Sequence, residues 1–258
     1  DYMNLMMDVS VGEKYHSNSQ KIRVITENWF NSNMYCPCCG SPKINHFENN
    51  KPVADFYCPC CDEEYELKSK SGKIDNKVND GAYDTMIQRI EAINNPNFFF
   101  LNYSKSSMKV QDLIIVPKHF FVKDIIEKRT PLAETARRAG WVGCNIEIKK
   151  IPEEGKIYIV KNENVSAVAD VVKKFEKTSF IAKYNLKARG WILDVMNCVG
   201  EIEKREFLLD EVYKFEDILK TKHPNNNHIK EKIRQQLQVL RDQGLIEFLG
   251  KGRYRKVE

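Results

Sequence analysis

The sequence predicts an α/β (α+β) core of about 180 residues, followed by a smaller helical domain that ends in a hairpin. Three observations carry this expectation. Apolar runs at 98–104 (FFFLNYS), 112–117 (DLIIVP) and 156–160 (KIYIV) have the length and composition of buried strands. Helical spacing of apolar residues marks 17–30, with Ile22, Ile25 and Trp29, and 80–94, with Tyr83, Met86, Ile87 and Ile90. The chain then changes character after a polar stretch at 183–190, KYNLKARG, which reads as a linker. The domains are therefore expected at 1–182 and 183–258.

Between the first helix and the apolar strands, PVADFY (52–57) and YELKS (65–69) read as short strands. The helix over 80–94 is expected to open at Asp80-Gly81 and to be broken by Asn-Pro-Asn. Beyond the linker the pattern is a helix from Trp191, a strand-like start at FLLDEVY leading into another helix, a polar break at TKHPNNN, a long helix and a hairpin.

Composition excludes several classes. With 258 residues, 42% hydrophobic and 30% charged, the chain can bury a core in each domain. No apolar run approaches the ~20 residues of a membrane span. The N-terminal DYMNLMMDVS carries acidic residues and no basic segment, unlike a secretory signal. Six of the eight cysteines lie in two tight groups, which points to a bound metal and a reducing compartment, the cytoplasm, rather than to a secreted disulfide framework.

Those groups are Cys36-Pro-Cys-Cys39 and Cys58-Pro-Cys-Cys61, each a C-x-x-C turn, with eighteen residues between Cys39 and Cys58. Two such turns complete a tetrahedral shell, so Cys36, Cys39, Cys58 and Cys61 are the candidate Zn²⁺ ligands. Cys38 and Cys60 could compete, although directly adjacent cysteines chelate one ion badly. Gly40 after the first turn suits a knuckle that needs positive φ. Four thiolates leave no open position, so the metal is expected to be structural.

Beside the second turn stands a second pattern. On a strand, Glu66 and Lys68 share one face while Leu67 points to the other. If 53–57 and 64–69 pair as a hairpin, Asp55 comes beside Glu66. Two carboxylates and the Leu67 carbonyl then make an oxygen-rich pocket suited to Mg²⁺, with Lys68 able to orient a water and stabilise developing phosphorane charge. This is the chemistry of phosphodiester hydrolysis. Glu63 and Glu64 are alternative ligands, and the lysine two residues on favours Glu66.

In the C-terminal domain, 227–244 places Ile229, Ile233, Leu237 and Leu240 on one stripe, with Asn227 as the expected cap and Gly244 as the stop. Glu231, Arg234, Gln235, Gln238 and Asp242 lie opposite, flanked by His228. Arginine and glutamine are the side chains that read base edges in a major groove. A Gly-Lys-Gly turn at Lys251 and a strand bearing Arg253, Arg255 and Lys256 follow as a β-wing. Together these elements describe a winged helix-turn-helix. From Lys222 to Glu258 there are nine Lys/Arg against four Asp/Glu, a surplus equal to the whole net charge of +5, so the partner expected there is DNA. Arg137, Arg138 and Trp141 form a further candidate DNA contact, gripping a backbone and stacking or wedging on a base.

Long stretches carry a resemblance more specific than these motifs. YCPCCG, HFENNKPVADFYC, ELKSK, NDGAY, NNPNFFFL, LAETARRAGWVGCNI and NNHIKEKIRQQLQVLRD resemble the DpnI-type methyl-directed restriction endonucleases. That resemblance implies a PD-(D/E)XK nuclease domain with an embedded zinc site and a winged helix, both sensing the methylated sequence. It also implies Mg²⁺-dependent cleavage of duplex GATC carrying N6-methyladenine. The catalytic positions would be Asp55, Glu66 and Lys68, with Val53-Ala54-Asp55 standing where the motif has Pro-Asp, and Pro52 upstream. The protein is expected to act as a monomer. A zinc-containing winged-helix transcription regulator would explain the cysteines and the basic tail, but not the acid–lysine pattern.

Overall fold

The computed structural model describes residues 3–48, 54–74 and 76–257. The chain divides into two compact units, Asp1–Lys149 with Glu154–Thr178, and Lys150–Glu153 with Ser179–Glu258.

In chain order the first unit comprises α1 (Asn18–Asn33), β1 (Asn45–His46), β2 (Phe56–Tyr57), β3 (Glu64–Ser71), β4 (Lys77–Ala82), α2 (Tyr83–Glu91), β5 (Asn97–Ser104), β6 (Lys109–Val116), β7 (Ile126–Lys128), β8 (Gly143–Glu147), β9 (Ile157–Lys161), β10 (Asn164–Val165) and α3 (Val168–Thr178). A seven-stranded sheet runs β1-β2-β3-β5-β6-β9-β10, and a three-stranded sheet runs β4-β8-β7. In the larger sheet only β3 and β5 pair in parallel.

Strand alternation sorts the side chains of that sheet. Register pairs Leu67 with Phe99 and Phe99 with Ile115. All three face the main core, beneath Ile25, Trp29 and Phe30 of α1. Phe30 makes the centre of an aromatic cluster, 4.6 Å from Phe56 and 4.7 Å from Phe99 between ring centroids. The alternate residues, Glu66 and Lys68 with their partners Phe98 and Phe100, face the other way, where Phe98 stacks on Phe121 at 4.7 Å.

The second unit contains α4 (Leu186–Glu201), β11 (Glu206–Leu208), α5 (Leu209–Tyr213), α6 (Glu216–Lys222), α7 (Ile229–Asp242), β12 (Ile246–Gly250) and β13 (Arg253–Lys256), the strands ordered β11-β13-β12. Its core takes the apolar stripe of α7, with Ile229, Ile233, Leu237 and Leu240 all buried. Gln236 is buried beside them.

Four local expectations change. The helix expected over 80–94 begins at Tyr83, because 77–82 pairs with β8 as β4 and only then turns into helix. The linker expected over 183–190 is largely the first turns of α4: Asn185 caps it by accepting from the Ala188 N–H at 3.0 Å. There Arg189 is buried, donating to the carbonyls of Ile181, Ala182 and Tyr184. Of the strand expected over 52–57, Pro52 and Val53 lie outside the described residues and Phe56–Tyr57 is strand. Asp55 occupies the bend just before it. The cap of α7 is His228 rather than Asn227, its N–H held by the Asn226 side chain at 2.7 Å.

Removing the Phe30 ring leaves a cavity between Phe56 and Phe99. Phe30→Ala should lower the unfolding free energy by about 3–5 kcal/mol, read from urea denaturation.

Candidate nuclease centre, metal site and DNA-facing surface

Two turns and one strand build the thiolate cluster. The Gly40 N–H donates to the Cys36 carbonyl at 2.8 Å with Gly40 at φ +75°, a conformation that spares a side chain strain. The second turn closes when the Asp62 N–H donates to the Cys58 carbonyl at 3.0 Å and the Cys58 N–H to the Glu63 carbonyl at 2.9 Å. The sulfurs of Cys36, Cys39, Cys58 and Cys61 all lie within 4.8 Å of one another. Cys36 and Cys61 are 3.6 Å apart, and Cys39 and Cys58 3.7 Å. A tetrahedral ion with Zn–S bonds of about 2.3 Å needs sulfurs about 3.8 Å apart, so two of the pairs already stand near the separation such an ion requires, and the four sulfurs suit it as a set. Cys60 is exposed and turns to the Ser41 hydroxyl at 3.3 Å. Cys38, half-buried, is not in the cluster.

Burial pushes the Cys36 thiol well up and that of Cys61 up to about 12. At Cys58 burial is outweighed by the Cys60 and Cys61 N–H groups and by the neighbouring thiols, which lower it to about 7. The Tyr65 hydroxyl lies 3.0 Å from the Cys36 sulfur, deep in the core, so β3 itself touches the cluster.

On the opposite face of β3 the charged residues meet. Asp55 is seated against β3 by its backbone: its N–H donates to the Tyr65 carbonyl and its carbonyl accepts from Phe47, both at 2.9 Å. Its carboxylate accepts the Leu67 N–H at 2.9 Å. The carboxylate thus stands at the Glu66–Leu67 peptide, as expected from the sequence, although from a bend and not from a strand. Lys68 Nζ is 2.5 Å from Glu66 Oε1 and also 2.5 Å from Asp80 Oδ1. Arg89 of α2 approaches the other Glu66 oxygen at 4.0 Å.

Electrostatics follow from this crowding. Burial raises the Glu66 pKa; Lys68 opposes the rise, while Asp80 and Asp55 add to it. Burial works against the Lys68 charge, but Glu66 and Asp80 outweigh it and hold the amine above its usual range. Lys68 is therefore a fixed ammonium. Of the alternative acids, Glu63 is engaged elsewhere, accepting from Asn97 at 2.7 Å and Lys118 at 2.9 Å. The donor set of Asp55, Glu66 and the Leu67 carbonyl is all oxygen, which fits a hard divalent cation.

Asp80 and Arg89 were not legible as site residues. Asp-Gly reads as a helix start, and only the β4–β8 pairing, with a bulge between Asp80 and Ala82, brings that carboxylate to Lys68. Arg89 reads as an ordinary charge on an amphipathic helix.

The DNA-contact candidates fall in both units. In the first, Arg137 and Arg138 are exposed on the long segment between β7 and β8, and Trp141 is half-buried. The Arg138 guanidinium covers the Trp141 ring at 4.4 Å. The ring lies over Gly143, where an added Cβ would come within 2.8 Å of it. In the second unit His228, Arg234, Gln235 and Gln238 are all exposed on or beside α7. Arg234 donates to the Tyr213 hydroxyl at 3.1 Å, and Gln235 accepts from Lys232 at 2.8 Å. At the wing tip Gly250, Lys251 and Gly252 all have positive φ, an arrangement that only flanking glycines make cheap, and Lys251 and Arg253 project outward. Arg255 differs. It bridges Glu206 at 2.9 Å and Glu247 at 3.3 Å and so ties the three strands together, while Lys256 donates to the Ile202 carbonyl.

A helix-turn-helix unit ending in a wing, together with a mixed α/β unit that carries a four-cysteine cluster suited to a structural metal and a partly buried acid–lysine cluster, defines a DNA-binding protein. A family model described as the Dam-replacing family (DpnI) matches residues 3–184, and one described as the Dam-replacing HTH domain (DpnI_C) matches 187–256. The chain belongs to this DpnI-type family of methyl-directed restriction endonucleases, and DNA is its partner. Among the described residues no helix is long and apolar enough to cross a membrane.

Metal uptake must displace the protons of Cys36 and Cys61, whose folded-state pKa values are raised above neutral. Below about 7 the Cys58 proton must leave as well, so apparent Zn²⁺ affinity should fall by at least about 1000-fold for each pH unit of acidification well below neutrality, measured by chelator competition. Cys36→Ser should lose the metal, while Cys38→Ser and Cys60→Ser should retain one ion per chain.

Proposed function

We propose that this chain cleaves duplex DNA at GATC sites carrying N6-methyladenine, by Mg²⁺-dependent phosphodiester hydrolysis at a PD-(D/E)XK centre formed by Asp55, Glu66 and Lys68. The observation that carries the reading is the placement of the Asp55 carboxylate at the Glu66–Leu67 peptide, with the Lys68 ammonium on the same strand face. The nuclease unit is taken as 1–182 and the winged helix as 183–258. Zn²⁺ is the ion assigned to the four thiolates, and the protein acts as a monomer.

Asp55, Glu66 and the Leu67 carbonyl would hold Mg²⁺, which supplies Lewis-acid stabilisation of the scissile phosphate and lowers the pKa of a water at the site. The chain's own groups do the rest. Lys68, permanently charged, orients the attacking water through an N–H donor and offsets negative charge building on the phosphorane. The partial burial of Glu66 and Lys68 lowers the local dielectric and strengthens each of these interactions. On the second unit, Arg234, Gln235 and Gln238 present donors and acceptors to base edges, with His228 beside them. Lys251 and Arg253 neutralise backbone phosphates, which holds α7 in register without reading sequence. Arg137, Arg138 and Trp141 supply a second contact from the nuclease unit, where the arginine-stacked indole suits a thymine methyl or an N6-methyl group.

The deciding experiment presents the purified protein and Mg²⁺ with one plasmid in GATC-methylated and unmethylated forms. Cutting of the methylated form alone, abolished in Asp55→Ala, is expected. Equal cutting of both forms overturns methyl direction, and no cutting of either points to the winged-helix regulator. For the wing, Arg253→Ala should weaken binding uniformly across sequences and reduce the slope of log K against log salt by about 1, whereas Gln238→Ala should relax sequence preference.

A further inference from the structure

Asp80 has no place in the PD-(D/E)XK pattern, yet its carboxylate is one of the two that hold Lys68. It comes from β4, in a different sheet from β3. Its side chain is 7% exposed, less than that of Glu66 at 17%. The backbone around it is fixed: Asp80 pairs with Cys144 on β8, and the Tyr83 N–H donates to the Val142 carbonyl at 3.1 Å just beyond the bulge.

The two carboxylates on Lys68 are not equivalent. Glu66 belongs to the oxygen set around the Leu67 carbonyl where Asp55 also stands, so its charge is the one a divalent cation would claim. A cation there repels the nearby ammonium and weakens the Glu66–Lys68 pair. On β3 no neighbour of Lys68 replaces it: Leu67 and Ser69 point to the other face by strand parity, Lys70 carries a like charge, and Glu64, on the same face, stands four residues or roughly 13 Å back along the strand. Asp80 is bound to neither Asp55 nor the Leu67 peptide, and its anchoring sheet does not depend on the cation.

We propose that Asp80 is a positioning residue that retains the Lys68 ammonium at the reaction centre when Glu66 turns to the metal, so that Lys68 faces the water and the phosphate. The proposal rests on the nuclease reading of Asp55, Glu66 and Lys68. It assigns Asp80 to orientation, because Asp80 reaches Lys68 from β4 in the other sheet, whereas Glu66 shares β3 with the Leu67 carbonyl.

The test compares full-length wild type, Asp80→Asn, Asp80→Glu and Asp55→Ala. Asp80→Asn keeps size and one acceptor oxygen but loses the charge; Asp80→Glu keeps the charge. At saturating Mg²⁺ and methylated duplex, Asp80→Asn should lower kcat on the order of 100-fold with KM unchanged, and Asp80→Glu should recover part of the loss. A second readout needs no metal and no turnover: acetic anhydride labelling of Lys68, followed by peptide mass spectrometry with and without denaturation. Labelling of native protein should rise severalfold in Asp80→Asn and less in Asp80→Glu. Wild-type kcat in Asp80→Asn, with Asp55→Ala inactive, overturns the proposal. So does a parallel loss of kcat, KM and thermal stability that Asp80→Glu fails to relieve, which marks a structural role only. If the wild type cuts no duplex, the nuclease reading has failed, and unchanged Lys68 labelling in Asp80→Asn overturns the hold on the lysine separately.

Discussion

The rest of the first unit depends on how β3 is held, because one residue of slip would exchange its two faces. Tyr65 and Leu67 point into the core, Glu66 and Lys68 away from it. Three independent restraints agree on that register. Parallel pairing sets Leu67 against Phe99, the Asp55 carboxylate takes the Leu67 N–H, and the Tyr65 hydroxyl reaches the Cys36 sulfur. The thiolate cluster therefore does more than close a loop. Cys58 and Cys61 flank the turn that joins β2 to β3, and Tyr65 links the same cluster to the strand from within the core. A tetrahedral ion there would fix the strand that carries the acid–lysine cluster without contributing a group to it.

Charge is the second constraint. A buried carboxylate or ammonium alone would cost several kcal/mol, so the cluster must be balanced internally. Lys68 sits between Glu66 and Asp80, and Arg89 approaches from α2. Burial first, and then the nearby Asp80 and Asp55 charges, make Glu66 hold its proton more tightly than usual in spite of Lys68. Such a site gains from a further cation, and the oxygen donors at Asp55 and Leu67 say where it would sit. The second unit spends its charge differently. Arg255 is consumed in holding β11, β12 and β13 together, so fewer basic side chains stand free on this unit than its number of basic residues implies.

Much of this was readable from the chain. The paired C-x-x-C turns, the apolar runs of β5, β6 and β9, the stripe of α7 and the Gly-Lys-Gly wing are local signals, each set by spacing or by one residue's backbone freedom. The approach of Asp55 to Glu66 was also legible, because strand parity and a short hairpin leave few other options. The misread segments share a cause. KVNDGA is too polar to announce a strand and becomes one only because β8 supplies a partner from more than sixty residues away in the chain. KYNLKARG is too polar to announce a helix, yet Asn185 caps one and Arg189 fills carbonyls that no sequence pattern displays.

By itself, then, the sequence determined which residues could bind metal, which strand could carry the acid–lysine pair and which helix could face DNA. Chelate spacing, strand parity and helical periodicity are properties of short segments. Tertiary structure alone decided that Asp80 and Arg89 join that pair, that the Tyr65 hydroxyl ties β3 to the thiolates from the other face and that Arg255 is taken up by Glu206 and Glu247. Each of these is a contact between segments distant in the chain, made by pairing and burial rather than by any local preference.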